Sequence, residues 1–334
     1  MHLDPFQLHQ PKTVEEATEL AHRYAGDVDY LGGGTDLLPN YKMHLNLRHH
    51  VIALNGIPEL HHHGMGRIGA MVPLADLERD PKFGRAFPGV AEALAEVATP
   101  LVRASATIGG NLLVETRCFF FNQSYFWRQS LGFCLKADGD RCHVVPQKER
   151  CYATFSGDLA PSLEVLNASV EIAGPSGRRE VLLTDLYDRS GDGILRHHLR
   201  PGELLVSIHL PPGSQALPST YLKLRVRPSF DFPELGIAAA GRFSGDQLDE
   251  LLIAVGGLET YPRRFDELTR PMAGSALTDL RIEEISQAIQ RAVRPVHNTF
   301  LAPDYRKKMT GVFVRRALER LRSVAVGGDP RVAA

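Results

Sequence analysis

The stretch LGGGTDLLP at residues 31–39 says most about the fold of this chain. It follows a short apolar strand that includes Tyr30, and it runs into a predicted helix that Thr35 or Asp36 is placed to cap. Three consecutive glycines let the backbone approach an anion closely, with their N–H groups turned inward. The turn is therefore predicted to bind a phosphate group, although a tight turn without a ligand would use the same residues.

A second glycine turn, TIGGN, occupies residues 107–111. The fingerprint G-x-G-x-x-G is absent, and strands do not alternate regularly with crossover helices, so a doubly wound nucleotide-binding fold is disfavoured. Two glycine turns together still fit a dinucleotide, because its pyrophosphate has two faces to hold.

Hydrophobic periodicity predicts the elements around these turns. A capping-box pattern at Thr13 and Glu16 begins a helix over 12–26. Further helices are predicted over 88–98, 283–293 and 304–323. Strands are predicted within 30–31, 51–54, 163–174, 203–212, 220–227, 235–243 and 248–257. The stretch PPGSQALPS is the best linker candidate, so two domains are expected, over 1–214 and 215–334.

Composition limits the class of protein. The chain has 334 residues and is 43% hydrophobic, and its 38 basic and 39 acidic side chains give a formal net charge of -1. A globally basic nucleic-acid binder is excluded. No stretch approaches the roughly 20 apolar residues of a membrane span, and the N-terminus does not resemble a signal peptide. We therefore expect a cytoplasmic protein without a membrane span and without a nucleic-acid partner.

The four cysteines of the chain, Cys118, Cys134, Cys142 and Cys151, lie within 34 residues of one another. In the cytoplasm such a cluster binds metal more often than it forms disulfides. The separations of 16, 8 and 9 residues contain neither the short knuckle of zinc sites nor the compact ferredoxin run. A zinc ion, an iron–sulfur cluster and a set of buried structural cysteines all remain open on spacing alone.

The segment 117–155, which holds these cysteines, differs from the rest of the chain. It contains nine of the 25 aromatic residues and has weak periodicity, which is typical of a loop organised by something other than a regular core. The rings could shield a cluster from water or form a small satellite core. Six basic and three acidic side chains give it a net charge of +3. This excess could attract an acidic electron donor, offset thiolate charge or form a solvated face.

Four motifs together resemble the FAD-binding medium subunits of the xanthine oxidase family of molybdenum enzymes. They are LGGGTDLLP at 31–39, SATIGGNL at 105–112, SGDLAPSLEVLNASVEI at 156–172 and YLKLRVRPSFDFP at 221–233. The resemblance covers nearly the whole chain. It implies an α+β fold in which an N-terminal FAD-binding domain of the vanillyl-alcohol-oxidase type precedes a smaller C-terminal α+β domain.

The same resemblance implies which residues bind FAD. The two glycine turns are expected to hold the pyrophosphate and the ribityl chain. Thr116 and Asp158 are expected near the flavin at the edges of segment 117–155, Leu166 near the ring or adenine, and Lys223 at the flavin from the second domain. The expected turn residues are Leu31, Gly32, Gly33, Gly34, Thr35, Asp36, Leu37, Thr107, Gly109, Gly110 and Asn111. No catalytic residue is expected on this chain.

Ordinary members of this family lack the four-cysteine segment, the 39 residues from Arg117 to Phe155 that precede the SGDLAP motif. The segment is similar to one in the FAD-binding subunits of 4-hydroxybenzoyl-CoA reductases, where it binds a [4Fe–4S] cluster. The resemblance implies FAD and a [4Fe–4S] cluster as cofactors, with Cys118, Cys134, Cys142 and Cys151 as ligands.

The resemblance also implies partners and a reaction. A large molybdopterin subunit and a small [2Fe–2S] subunit would complete a dimer of heterotrimers, with ferredoxin as electron donor. The complex would convert 4-hydroxybenzoyl-CoA to benzoyl-CoA on the partner's molybdenum. Two alternatives remain: a molybdenum hydroxylase acting on another aromatic or aryl-CoA substrate that passes electrons outward, and an FAD subunit whose cysteine segment is a structural zinc module.

Overall fold

The computed structural model describes residues 3–325. It contains three β-sheets, and the first is a parallel sheet in the order β1–β3–β2. Its strands are β1 Gln7–His9, β2 Val28–Leu31 and β3 His50–Ala53. The first glycine turn directly follows β2, the edge strand, so the turn is placed at the carboxyl end of this sheet.

Helix α1, Val14–Arg23, packs beside this sheet and begins where the capping box predicts. The Thr13 hydroxyl accepts the Glu16 N–H at 3.1 Å, and the Glu16 carboxylate accepts the Lys12 N–H at 2.7 Å. These bonds satisfy backbone N–H groups that a helix start otherwise leaves without partners.

The second sheet is antiparallel, in the order β4–β7–β5–β6. Its strands are β4 Arg67–Gly69, β5 Ser169–Gly174, β6 Gly177–Leu182 and β7 Leu204–His209. The strand predicted from residue 163 is wrong at its beginning, because Leu163 and Glu164 end a helix and β5 starts only at Ser169. Asn167, with φ 55°, turns the chain between the two elements.

The helices of the N-terminal segment are short, of ten residues or fewer. After α1 they are α2 Leu37–Lys42, α3 Leu74–Arg79, α4 Pro81–Ala86, α5 Pro88–Glu96, α6 Pro100–Arg103, α7 Ile108–Leu112, α8 Tyr125–Ser130, α9 Leu159–Glu164 and α10 Leu183–Leu186. None of the helices in residues 3–325 combines the length and the apolar character needed to cross a membrane.

The C-terminal segment contributes the third sheet and two long helices. Strands in the order β11–β10–β9–β8 pair antiparallel, and β12 adds to β10. The bounds are β8 Ser219–Leu224, β9 Leu235–Ser244, β10 Gln247–Gly256, β11 Arg263–Arg264, β12 Ser275–Ala276, α11 Asp266–Thr269, α12 Asp279–Ala292 and α13 Pro303–Ala325. Two of the three sheets are antiparallel, and helices do not alternate regularly with parallel strands. This arrangement confirms the α+β fold class.

Alternation along β9 explains how the two halves meet. Ala238 and Ala240 join the apolar core of the N-terminal segment, whereas Ile237 and Ala239 join the core beneath α12 and α13. Because successive side chains of a strand point to opposite faces, this sheet is buried on both sides. Both cores therefore depend on β9.

Segment 117–155 is largely irregular, as predicted, apart from α8 and a short 3₁₀ turn at Leu135–Ala137. The backbone groups of Arg117 and Thr154 exchange hydrogen bonds of 2.7 Å in both directions. The two ends of the segment are thus adjacent, which lets a long loop project from the domain without separating the elements on either side.

Candidate functional site

The two glycine turns lie against each other. A Cβ on Gly33 would overlap the backbone carbonyl of Ser105, far inside the 3.0 Å limit of real Cβ contacts, and one on Gly32 would lie 3.2 Å from Thr107 Oγ1. Within the described chain, no backbone N–H of residues 32–35 donates to a protein acceptor. A close-packed glycine turn with free N–H donors fits the pyrophosphate of FAD.

The second turn is held in place by bonds on both sides. The Thr107 hydroxyl accepts the Gly110 N–H at 3.1 Å, and the Asn111 side-chain oxygen accepts the Leu159 N–H at 3.1 Å. A Cβ on Gly109 would come within 2.7 Å of the Ala70 Cβ. The bond from Asn111 joins the second turn to Leu159, the first residue of α9. Asp158 directly precedes this helix.

Asp158 and Lys223, which are 65 residues apart in the sequence, form a buried ion pair. The Lys223 ammonium lies 3.0 Å from Asp158 Oδ1 and also donates to the Glu96 carbonyl at 2.9 Å. The Tyr221 hydroxyl donates to Asp158 Oδ1 at 2.8 Å. Burial raises the pKa of the Asp158 carboxyl, while Lys223 and Tyr221 favour its charged form. Two of the predicted flavin residues therefore act as one unit.

Lys223 also lines an open cleft between α5 and α13. The other charged and aromatic lining residues are Glu92, Glu96, Tyr221, Phe313, Arg316 and Arg320. The Lys223 side chain itself is fully buried in its pair with Asp158. The predicted contact of Lys223 with the flavin stays a prediction.

Replacing Lys223 by methionine is expected to destabilise the fold by about 3–5 kcal/mol, because Asp158 would remain as a buried carboxylate without its cation. Urea unfolding followed by circular dichroism measures the loss. Exchanging Asp158 for asparagine in the same chain should restore part of it. Lys148, an exposed lysine, is the matched control, and its methionine variant should unfold like the wild type. A Lys223→Met protein as stable as this control would contradict the pairing.

Asp36 connects the first glycine turn to the start of segment 117–155. Its carboxylate pairs with the Arg117 guanidinium and accepts the Glu115 N–H at 3.2 Å. The Arg117 guanidinium in turn lies 4.4 Å above the centre of the Phe232 ring. Arg117 therefore contacts the turn, the cysteine segment and the C-terminal segment at once.

Thr116 and Leu166 are both buried. The Thr116 hydroxyl donates to the Gly193 carbonyl at 2.7 Å and also contacts the Lys136 ammonium, so this threonine is enclosed beneath the cysteine segment. Leu166, 2% exposed, packs in the apolar core of the N-terminal segment. Neither residue lies on the glycine turns, and their contacts with FAD stay predictions.

The four cysteines are buried, are not in disulfides and line one cavity. The other walls of this cavity include Phe120, Phe121, Lys136, His143 and Tyr152. Burial raises the pKa of the Cys118 thiol to about 11 and that of Cys151 to about 12, and the neighbouring thiols add to both shifts. The fold thus brings together four cysteines that are separated by 16, 8 and 9 positions in the sequence.

The grouping of these thiols is not that of a site for a single ion. Among residues 3–325, no three His, Cys, Asp or Glu side chains are grouped as ligands of one metal ion. The structural zinc module and the [4Fe–4S] cluster both stay predictions.

The charge excess of the cysteine segment is internal. Arg117 pairs with Asp36, Arg128 donates to the Met43 and His44 carbonyls at 3.0 and 2.9 Å, and Lys136 is buried. The remaining charged side chains are exposed: Arg141, Lys148, Arg150, Asp138, Asp140 and Glu149. Three positive and three negative charges balance at the surface. The excess therefore lies on side chains paired or buried within the protein, of which Lys136 lines the cysteine cavity, and the idea of a basic surface that attracts an acidic donor is not supported.

Sequence reasoning missed the residues that connect the two sites, namely Glu115, Arg117, Lys136 and Phe232. Arg117 and Lys136 entered it only as part of a charge count. The motif at 221–233 contains Phe232, but its ring could not be placed without the fold. The one available signal was the position of Glu115 and Arg117 beside Thr116.

Two known sequence families match the chain. The FAD binding domain in molybdopterin dehydrogenase matches residues 4–213, and the CO dehydrogenase flavoprotein C-terminal domain matches residues 220–321. The boundary expected near residue 214 lies between the two matched segments. Together they span nearly all of the described chain.

Individual relatives agree. The aldehyde oxidoreductase FAD-binding subunit PaoB of Escherichia coli is 33% identical, over 78% of this chain and 84% of its own length. The carbon monoxide dehydrogenase medium chain of Hydrogenophaga pseudoflava is 28% identical, over 94% and 96%.

A solved structure of carbon monoxide dehydrogenase from Hydrogenophaga pseudoflava superposes with a TM-score of 0.76 at 26% identity, covering 95% of this chain and 97% of that one. Fold, glycine turns and sequence relatives thus lead to one assignment. The chain belongs to the FAD-binding subunits of the molybdopterin dehydrogenases, the flavoprotein medium chains of the xanthine oxidase family of molybdenum enzymes.

Proposed function

We propose that this chain is the electron-transfer flavoprotein subunit of a 4-hydroxybenzoyl-CoA reductase. The complex accepts low-potential electrons from a ferredoxin and delivers them to a [2Fe–2S] subunit and a molybdenum subunit. There the phenolic hydroxyl of 4-hydroxybenzoyl-CoA is removed to give benzoyl-CoA. On this chain, the glycine turns hold FAD, and Cys118, Cys134, Cys142 and Cys151 hold a [4Fe–4S] cluster.

The convergence of the four cysteines on one cavity carries this proposal. Four thiols from a 34-residue segment share that cavity with aromatic walls, and four thiolates are the ligand set of a [4Fe–4S] cluster. Aromatic and aliphatic walls exclude water, which helps set the potential of such a centre. A core that needed only packing would gain little from four buried thiols placed together.

The contacts between the two sites support an electron path through this chain. Arg117, the residue before Cys118, pairs with Asp36 of the first glycine turn. Lys136, on the wall of the cysteine cavity, bonds Glu115 at 2.6 Å, and the Glu115 N–H bonds Asp36. These residues hold the cavity and the flavin turn at a fixed separation. The redox chemistry itself is supplied by the bound groups.

The expected partners follow from the relatives. These include a medium chain of carbon monoxide dehydrogenase and FAD-binding subunits of other oxidoreductases, so each is part of a larger enzyme. We propose the same arrangement here, with a large molybdopterin subunit and a small [2Fe–2S] subunit in a dimer of heterotrimers. Because the exposed charges of the cysteine segment balance, the ferredoxin must dock through more than simple attraction to a basic surface.

Counts of iron, acid-labile sulfide, zinc and flavin test the cluster assignment. The medium subunit, isolated anaerobically from the complex, should contain about four iron and four sulfide per FAD. One zinc per chain without sulfide would contradict the proposal and support the zinc module. One FAD without iron, sulfide or zinc would mean that the cysteines are only structural.

A second candidate is supported by the names of the relatives, which are dehydrogenases and oxidoreductases. In this alternative the complex is a molybdenum hydroxylase of another aromatic or aryl-CoA substrate, and electrons leave through FAD. Turnover separates the two directions. Consumption of 4-hydroxybenzoyl-CoA with reduced ferredoxin supports the reductase, whereas hydroxylation of an aromatic substrate with an oxidised acceptor supports the alternative.

A further inference from the structure

Lys136 is a buried cation between the two candidate redox sites. Its side chain is 4% exposed and forms part of the wall of the four-cysteine cavity. An ammonium is retained in such a position only when it is paired and hydrogen-bonded, because removing an isolated charge from water is costly. Its partners therefore define what it does.

All three acceptors of Lys136 lie outside the cysteine cavity. The ammonium donates to Glu115 Oε1 at 2.6 Å, to the Gly193 carbonyl at 2.9 Å and to the Thr116 hydroxyl. Glu115 also pairs with Arg196 at 3.0 Å and bonds Asp36 through its N–H. Lys136 thus fastens the cysteine segment to the residues next to the first glycine turn.

The Lys136 ammonium lies close to the cavity, 5.0 Å from the centre of the Phe121 ring on its wall. The cavity wall includes Lys136 and, within residues 3–325, not its partner Glu115. The positive member of the pair is therefore the one next to the cavity. In a medium of low dielectric constant, such a charge acts strongly on any centre in the cavity.

We propose that Lys136 is a positioning residue that raises the reduction potential of the centre held by the four cysteines. This inference rests on the proposed function. A reduced cluster carries one more negative charge than an oxidised one, so a nearby ammonium stabilises the reduced form more. Net charge and hydrogen bonding are recognised determinants of cluster potential. The effect lets the centre accept an electron and hold it beside the flavin.

Spectroelectrochemical titration of the anaerobic complex tests the proposal. Lys136→Met removes the charge but keeps a side chain of similar length. We expect the equilibrium constant for one-electron reduction of the centre to fall about tenfold, which is a shift of about 59 mV to lower potential. Lys136→Arg keeps the charge and should shift it less than threefold. Lys148→Met removes an exposed charge of the same segment and should leave the potential unchanged.

Glu115→Gln provides a second variant that does not depend on the stability of the first. It removes the counter-charge and leaves the ammonium, so the potential should rise. The flavin potential and the iron count are measured on every sample. A wild-type complex whose isolated medium subunit contains no iron would overturn the proposed function and this inference with it. A cluster-loaded complex in which Lys136→Met or Glu115→Gln leaves the potential unchanged would overturn the inference alone.

Discussion

Gly33→Ala is expected to weaken FAD binding by about a hundredfold. The added methyl group would overlap the carbonyl of Ser105, and a backbone atom cannot move aside by changing a rotamer. Overpacking of this kind costs about 1–3 kcal/mol, and every 1.4 kcal/mol is a tenfold change in Kd. The two glycine turns would have to move apart to make room for the methyl group. This movement would displace the backbone N–H groups that are proposed to bind the pyrophosphate. Flavin fluorescence titration of the flavin-depleted protein measures the change.

Gly84→Ala is the matched control for this variant. Gly84 lies in α4, and the nearest heavy atom to an added Cβ there is the Ala91 Cβ at 3.8 Å, an ordinary contact. Alanine within a helix is more favourable than glycine by about 0.5–1 kcal/mol, so the control should be at least as stable as the wild type and keep FAD. Normal FAD affinity in Gly33→Ala would show that the two turns do not form the pyrophosphate site.

The glycine turns were predictable from sequence because their chemistry is local. A run of glycines after a strand can be recognised in the sequence, and it indicates a backbone that can approach another segment closely. The contact of Gly33 with Ser105 is such an approach. The α+β fold class and the strands of the C-terminal segment were predictable for a similar reason, since alternation along a strand such as β9 is visible over a few residues.

The links between the sites were not predictable because they join distant residues. Lys136 donates to a carbonyl 57 residues away, and Arg117 pairs with a carboxylate 81 residues away. A count of charges gives the excess of segment 117–155 but not the side on which it lies. The strand predicted from residue 163 failed for another reason: an apolar run of this length suits a helix end as well as a strand.

Cys134→Ser is expected to remove most of the iron from the medium subunit, isolated anaerobically from the complex, and to leave FAD bound. Cys134 lies on the cavity wall, next to the 3₁₀ turn that carries Lys136. A serine hydroxyl is a harder and far less acidic ligand than a thiol, so a cluster that needs four thiolates loses an anchor. About four iron per chain should fall below one, as measured by metal analysis and by the loss of the cluster's visible absorption.

FAD should remain because the glycine turns are held by contacts that do not involve Cys134. The first turn packs on Ser105 and the second is bonded through Asn111 to α9, both outside the cysteine segment. Ser130→Ala, which removes a hydroxyl bonded only to the Trp127 carbonyl, is the control and should keep both iron and FAD. Loss of iron and FAD together in Cys134→Ser would mean that the cysteine segment stabilises the whole flavin domain. Retention of full iron would exclude Cys134 as a ligand. Loss of iron alone would separate the two sites and leave Arg117, Glu115 and Lys136 as the contacts through which they are held together.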